Sequence, residues 1–359
     1  MKVQTSILKE MVAKSVKGAG NNKLLPLTSL VNISGKDGKL TLITSNGSNY
    51  LYVTEKQEDA QDFYITVQIE QFSKLISKLT CENVELIITD KALEVKGNGT
   101  YKIDIPVDEE GEIIEYPDPM KEMELSNNPK QINLATIKTI INSCRSSLAT
   151  TLEIPCYTGY YCGDKVIATD TNKIAGLDTR LFDNDMLLSS TLMDLLDVMT
   201  AEQINFEEVA DWVVFTSPNC SVVGHAMDGI DDFAVEAITD LLETAADKVC
   251  KVNKNELLSL LDRISLFVGD LDDKAIRLAF TEKGLTIESL QTNGIETINY
   301  VESKNFEPFT CQIDIQYLLQ EVKSVAGDVV EIHYGLDNAI KIVEGNMTLV
   351  IALMFDDEE

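Results

Sequence analysis

Apolar positions along this chain follow two alternating rhythms, and the alternation itself repeats. In the first rhythm they recur every three or four residues, which places them on one buried stripe of a helix. SILKEMVAKSVKGAG (6–20) carries Ile7, Leu8, Met11, Val12 and Val16 in that spacing, and Gly18 and Gly20 end it. NLATIKTIINSCRSSLA (133–149) and NKNELLSLLDRISLFVG (253–269) repeat the pattern. The latter opens on Asn253 and Glu256 in capping-box spacing and closes at Gly269. A second set of helical windows is QIEQFSKLISKLT (68–80), SSTLMDLLDVMT (189–200) and QIDIQYLLQEVKSVAG (312–327). Their Leu75, Leu195 and Leu318 fall at matching places about 120 residues apart, a fixed period that means one structural unit used repeatedly.

Between the helices the period drops to two. GKLTLITS (38–45), GDKVIATD (163–170) and EKGLTIES (282–289) each follow a glycine-containing turn and read as hairpin strands. VELIITD (84–90), INFEEV (204–209) and VVEIHYG (329–335) follow the second helices, and TDKALEVKGNGTYKIDIP (89–106) returns as a further hairpin. Each copy is therefore helix, strands, helix, strands, which makes six similar half-units. The pattern predicts an α+β chain of three tandem domains at residues 1–120, 130–242 and 248–355, with an acidic tail at 356–359. The connector 106–130 carries four prolines and the acids Asp108, Glu109 and Glu110, a composition suited to an exposed linker. The connector 228–248 is also acidic, although Phe233, Val235 and Ile238 interrupt it as if to pack on a neighbour.

Composition adds one departure from the ordinary. The 359 residues are 44% hydrophobic and 25% charged, usual for a globular protein, but the formal net charge is −29. Such acidity opposes casual contact with nucleic acid or anionic membranes. Its distribution changes the conclusion. The six helical windows, the first trimmed to 6–17, contain ten bases: Lys9, Lys14, Lys17, Lys74, Lys78, Lys138, Arg145, Lys254, Arg263 and Lys323. Against eight acids they sum to +2, and the rest of the chain carries −31. These bases either occupy ordinary solvated helix faces or share one non-acidic surface able to hold phosphates weakly, without base readout. Screening over about 10 Å makes an acidic outer wall largely invisible to DNA on an inner one.

Catalytic chemistry is hard to find. His225 and His333 are the two histidines, neither in a metal-ligand spacing, and no phosphate-binding glycine loop or nucleophile elbow occurs. Seven scattered cysteines without a CxxC pair, and no export-type or membrane-length apolar run, point to free thiols in the cytoplasm. Cys156 and Cys162 read as packing residues. Asp270, Asp272 and Asp273 lack the full calcium-loop pattern. The expectation is no cofactor, no metal and no turnover.

Three segments resemble the bacterial β sliding clamp family, the ring-shaped processivity factors of replicative DNA polymerases. They are LLPLTSLVNISGKDGKLTLITSNGSNYL (24–51), VIATDTNKIAGL (166–177) and MDGIDDF (227–233), and their order and the three-fold repeat agree over the whole chain. The resemblance implies three domains of one topology, two helices from each lining a hole, and two chains closing head to tail as a homodimeric ring. Duplex DNA would pass through the hole, bound by topology, with the ten helix bases facing it. A polymerase and a clamp loader ATPase are the implied partners.

By the same resemblance an edge strand carrying Tyr101 and Ile103 meets Leu266 and Phe267 of another chain; Leu266 and Phe267 also read as simple intradomain core. An apolar cleft for partner peptides is implied at Thr169, Asn172, Lys173, Ile174 and Val235, with Val350, Ala352, Leu353 and Met354 from the last strand. Asn172 and Lys173 replace the family's usual His-Arg, and Phe355 with an acidic tail follows where the family normally ends. A different class of function stays open beside this one, an acidic protein-interaction scaffold that does not encircle DNA. The helix at 189–200 favours it, having Asp194 and Asp197 and no base.

Overall fold

A computed structural model describes residues 1–57, 62–89, 91–108, 111–269, 274–290 and 294–354. Asp270, Asp272, Asp273, Glu109, Glu110, Phe355 and the tail 356–359 lie outside the described residues. Seven α-helices occur among the described residues: α1 Thr5–Gly18, α2 Ile69–Lys78, α3 Leu134–Cys144, α4 Ser190–Leu196, α5 Val235–Glu243, α6 Lys254–Ile264 and α7 Ile315–Ser324. Six answer to the six apolar windows, each shorter than its window. The extra residues at 312–314 finish a strand, and those at 145–147 and 265–267 tighten into 3-10 turns. At the start of α6, Asn253 Oδ1 accepts from the Glu256 amide at 3.0 Å, the capping bond its spacing predicts.

The chain forms two compact units, Met1–Ile137 with Thr191–Ala226, and Lys138–Ser190 with Met227–Glu359. In the first, an eight-stranded antiparallel sheet runs in the order Phe63–Gln68, Leu30–Lys36, Lys39–Ser45, Tyr50–Lys56, Cys220–His225, Trp212–Ser217, Gln203–Val209 and Lys130–Asn133. The hairpin between Leu30–Lys36 and Lys39–Ser45 turns through Asp37 and Gly38, both at positive φ, which glycine adopts without a steric penalty. A four-stranded sheet ends on Thr100–Asp104.

α1 and α2 pack beside each other, with Leu8, Met11, Val12, Phe72 and Ile76 buried. Each such side chain contributes roughly 1.5–3 kcal/mol by leaving water. Val16, expected on the buried stripe, is exposed. The chain stays close to the sheet there through Gly18, where a Cβ would stand 2.5 Å from Thr44 Oγ1. Thr44 Oγ1 in turn donates to the Ser15 carbonyl at 2.8 Å.

The first connector is mostly exposed, as its composition predicts, but it is fastened to the unit at Tyr116. Tyr116 is buried against the large sheet. Its amide donates to Tyr64 Oη at 2.8 Å, and Tyr64 Oη donates back to the Tyr116 carbonyl at 2.9 Å. Tyr52 Oη donates to Asp118 Oδ1 at 2.9 Å. Apolar and aromatic residues between the prolines thus strap the connector to strands that would otherwise present their faces to water.

The second unit has the same logic. A nine-stranded sheet runs in the order Met186–Ser189, Gly159–Cys162, Val166–Thr169, Lys173–Leu177, Met347–Ala352, Ala339–Glu344, Val329–Tyr334, Lys248–Asn253 and Glu302–Lys304. Its second connector folds as α5, with Phe233, Ile238 and Leu242 in one buried cluster with Tyr157, Tyr161, Ile174, Ala339 and Val350. A separate four-stranded sheet ends on Ile295–Ile298. Sheet hydrogen bonds thus join strands on either side of the sequence-repeat boundaries in both units.

Candidate functional site

The helix bases fall into two groups. In α1 and α2, Lys14 pairs with Glu10 at 2.7 Å and Lys74 pairs with Glu70, both at helical i, i+4 spacing. The Lys74 ammonium holds the Glu70 carboxyl below its ordinary range. Lys9 is half-buried, while Lys17 and Lys78 are exposed in the last turns of their helices, where cations oppose the helix dipole favourably. In the second unit, Arg263 Nε donates to Glu296 Oε2 at 3.0 Å, so its charge is matched locally and the Glu296 carboxyl is held down. Lys254 Nζ reaches over from α6 to the Lys323 carbonyl at 3.4 Å and to the Val325 carbonyl. Lys138 is half-buried, and Arg145 and Lys323 are exposed. The even balance of the helices is therefore partly consumed by internal pairing.

The residues expected to wall a peptide cleft are divided by the structure. Ile174 and Val350 lie opposite each other in register, both buried, and α5 covers them, with Val235 at the cluster's edge. Thr169 is buried, its Oγ1 donating to the Lys173 carbonyl at 2.8 Å. Asn172 is exposed, and its carbonyl accepts from the Ala352 amide at 2.9 Å. Ala352 is half-buried. Leu353 and Met354 border a different cavity of about 330 Å³, shared with Arg277 and the strand Phe309–Asp314.

Lys173 points away from any cleft surface. It is 3% exposed, and its Nζ donates to Gln320 Oε1 at 2.6 Å and to the Ser146 carbonyl. Asp170 lies at 3.4 Å, Glu321 at 3.9 Å, and the Tyr317 ring centroid at 5.1 Å. Glu321 is 0% exposed and accepts from Ser147 Oγ at 3.0 Å. Burial pushes its carboxyl up to about 7, against the pull of Lys173 and the serine hydroxyls. This network was not anticipated from sequence. Glu321 at the C-terminal end of an apolar helical stripe was the one signal for it.

Of the two edges expected to associate, one leaves both of its named residues exposed and the other leaves only one. Thr100–Asp104 does end its sheet, and Tyr101 is exposed on it, but Ile103 is buried in the core and offers no surface. Leu266 and Phe267 are 81% and 48% exposed, which removes the intradomain-core reading for Leu266. Ile295, which the sequence did not single out, is 64% exposed on the strand that ends the other four-stranded sheet. Phe267 packs against the backbone at Gly294, which joins these apolar groups into one patch.

The histidines and cysteines have packing roles. His225 Nδ1 lies 2.8 Å from the Asp211 carbonyl and its ring 3.7 Å from that of Trp212. His333 Nε2 is 2.9 Å from Glu331 Oε1. Burial pushes the thiols of Cys144, Cys220, Cys250 and Cys311 up to about 12, far from reactive thiolates. Among the described residues no His, Cys, Asp or Glu cluster is arranged to hold a metal ion, and no helix is long and apolar enough to cross a membrane.

No family model and no curated protein matches the chain. Solved structures do, over nearly the full length of both chains. The DNA polymerase III β chain of Streptococcus pneumoniae superposes with a TM-score of 0.85 at 17% identity, covering 99% of each chain. The DNA polymerase sliding clamp of Bacillus subtilis gives 0.84 at 17% identity, covering 99% of this chain and 98% of the other. The DNA polymerase β subunit of Streptococcus pyogenes gives 0.86 at 16% identity, covering 99% of each. Identity this low speaks to fold alone, and the fold is that of the bacterial β sliding clamps.

Proposed function

We propose that the chain is a DNA sliding clamp, a ring that encircles duplex DNA and tethers a polymerase for processive synthesis. The single observation that carries this reading is the full-length likeness to solved DNA polymerase III β chains, 99% of this chain at a TM-score of 0.85. The units of the repeat are then domains at 1–120, 130–242 and 248–355, and two copies close head to tail. Their helices face the DNA through Lys9, Lys14, Lys17, Lys74, Lys78, Lys138, Arg145, Lys254, Arg263 and Lys323. Several of those bases are paired with acids, which suits weak, movable phosphate contact. The chain turns nothing over. It raises the local concentration of a low-affinity polymerase at the primer end, and a loader ATPase opens the ring.

Partner peptides meet the surface around Asn172, Ala352, Leu353 and Met354. Val235 packs against the buried cluster of Ile174 and Val350 under α5, and Thr169 is buried too, so these four support that surface from within rather than line it. The deciding experiment loads the full chain onto nicked circular plasmid and then linearises the plasmid. Release on linearisation is the expected result, and protein that stays bound after cutting contradicts sliding.

A further inference from the structure

The strand Phe309–Asp314 ends its four-stranded sheet. Among the described residues its outer edge is bridged at Gln312 alone, whose carbonyl accepts from the Met354 amide at 2.8 Å. Hydrogen-bonding groups alternate in direction along a strand, so the amide and carbonyl of Thr310, two residues away, point to that same edge. Beside the edge lies the cavity of about 330 Å³, walled by Phe309, Leu336, Leu353 and Met354 and by Arg277 and Asp337. A hollow next to an open strand edge suits an extended peptide, its main chain along the edge and one side chain in the hollow.

Charge decides which peptide fits. Lys173, the one base among the residues expected to wall the cleft, is buried, and its ammonium is spent on Gln320 and the Ser146 carbonyl. Arg277 donates to Glu288 Oε2 at 3.0 Å. α5 packs on the strands Lys173–Leu177 and Met347–Ala352, and it carries Glu236, Asp240 and Glu243 with no base. Asp337 is exposed at the cavity. Asp314 Oδ1 caps α7, accepting from the Gln316 amide at 2.6 Å, and Asp170 Oδ1 accepts from the amides of Asn172 and Lys173 at 3.0 and 2.8 Å. Burial first, and then the charges of Asp170 and Asp314, raise the Tyr317 pKa, so both carboxylates stand within electrostatic reach of one half-buried ring. The polar frame of this surface is therefore anionic, and its two nearest cations are already paired.

We infer that this surface selects a cationic peptide with an apolar anchor. The peptide main chain adds to the strand edge at Thr310, a leucine-sized side chain fills the cavity, and flanking lysines or arginines meet Asp170, Asp314 and Asp337. The inference rests on the partner-peptide reading and names the chemistry of that peptide. Exposed ion pairs are individually weak, so the anchor supplies most of the affinity and the carboxylates supply discrimination against acidic sequences.

The test titrates the full chain against a short fluorescein-labelled peptide of alternating lysine and leucine and follows anisotropy. Glutamate–leucine and lysine–serine counterparts run beside it, at about 100 mM NaCl, where charges beyond about 10 Å are largely screened. The lysine–leucine peptide is expected to bind at least about 10-fold more tightly than either counterpart. Asp314→Asn with Asp337→Asn keeps a capping side chain on α7 and is expected to weaken that peptide roughly 3- to 10-fold. Asp262→Asn with Asp328→Asn makes the same charge change at other exposed positions and is expected to stay within about 2-fold of the parent. A thermal melt of each variant checks that it folds as the parent does. Equal losses in the two variants mean a diffuse field and overturn the inference, as does parental affinity in Asp314→Asn with Asp337→Asn. Equal binding of either counterpart, or binding of none of the three peptides, overturns it too. A preference for the glutamate–leucine peptide does the same, and makes an acidic sequence such as the chain's own residues 356–359 the fitting occupant. The clamp reading is judged separately by the circular-plasmid experiment.

Discussion

Leu242 of α5 lies directly over Gly176 of the strand Lys173–Leu177, where a Cβ would stand 2.6 Å from Leu242 Cδ1. The missing side chain is what lets the helix sit down on the sheet. Lys341 then fixes the helix end, its buried Nζ donating to the carbonyls of Leu242 at 3.1 Å and Thr244 at 2.5 Å. Burial lowers the Lys341 pKa, so the two carbonyls are its main compensation. Gly176→Ala should cost about 1–3 kcal/mol by overpacking. Leu242→Ala in the same chain should recover part of that loss. Urea unfolding of both single variants and the double variant measures the coupling, and strictly additive effects would show that this contact is not the cause.

Glu321 gives an unusual pH dependence. Its carboxyl sits at about 7 in the folded chain against 4.5 ordinarily. Between those values the folded chain holds a proton that the unfolded chain has released, so this group's contribution to stability falls as pH rises from 4.5 to 7. It is constant above and below that window. Glu321→Gln keeps an acceptor for Ser147 and removes the titration. The variant should therefore gain on the parent, from pH 5 to pH 8, by an amount on the order of 2–3 kcal/mol. Parallel stability-against-pH curves for the two proteins would contradict the assignment.

The strap over the first large sheet makes a smaller prediction. Tyr52→Phe removes the bond to Asp118 while keeping the ring, and should cost about 0.5–1.5 kcal/mol. The loss should appear locally, as faster protease cleavage within 106–130 at unchanged cleavage elsewhere. A uniform increase over the chain would mean that the bond supports the unit as a whole.

How much of this was readable beforehand follows from what each signal depends on. The helices at 6–20 and 253–269 were legible because a buried stripe must recur every three to four residues, and the Asn253 cap because it is a local bond. Lys173 was not legible. An exposed-looking lysine in a hairpin gives no sign that Gln320, Glu321 and the Ser146 carbonyl, up to 148 residues away in sequence, will enclose its ammonium. Tyr116 shows the same limit: prolines and acids around it predicted an exposed linker, and the partner that buries it, Tyr64, lies 52 residues earlier. Ile103 misled for a simpler reason. It shares a strand face with Tyr101, two residues away, yet the core covers Ile103 and leaves Tyr101 exposed, and spacing alone does not tell how far along an edge strand the core reaches.

The patch of Leu266, Phe267 and Ile295 supports the last prediction. Large apolar groups this exposed beside a terminal strand are a template for association, and monomers ordinarily blunt such edges with charge or a bulge. The strand Thr100–Asp104, which ends the first unit's small sheet and presents Tyr101, is the complementary edge in the proposed ring. Two different edges meeting head to tail make a heterologous contact, which closes into a ring when the rotation allows it. Because Leu266 is mostly exposed and Phe267 packs with only part of its side chain, Leu266→Ser with Phe267→Ser should lower the melting temperature modestly without unfolding the chain. It should also halve the mass seen in sedimentation. Tyr101→Asp, on the opposite edge, should have the same effect, whereas Ile103→Asp should unfold the sheet instead. A parental mass in both surface variants would remove these edges from the ring contact.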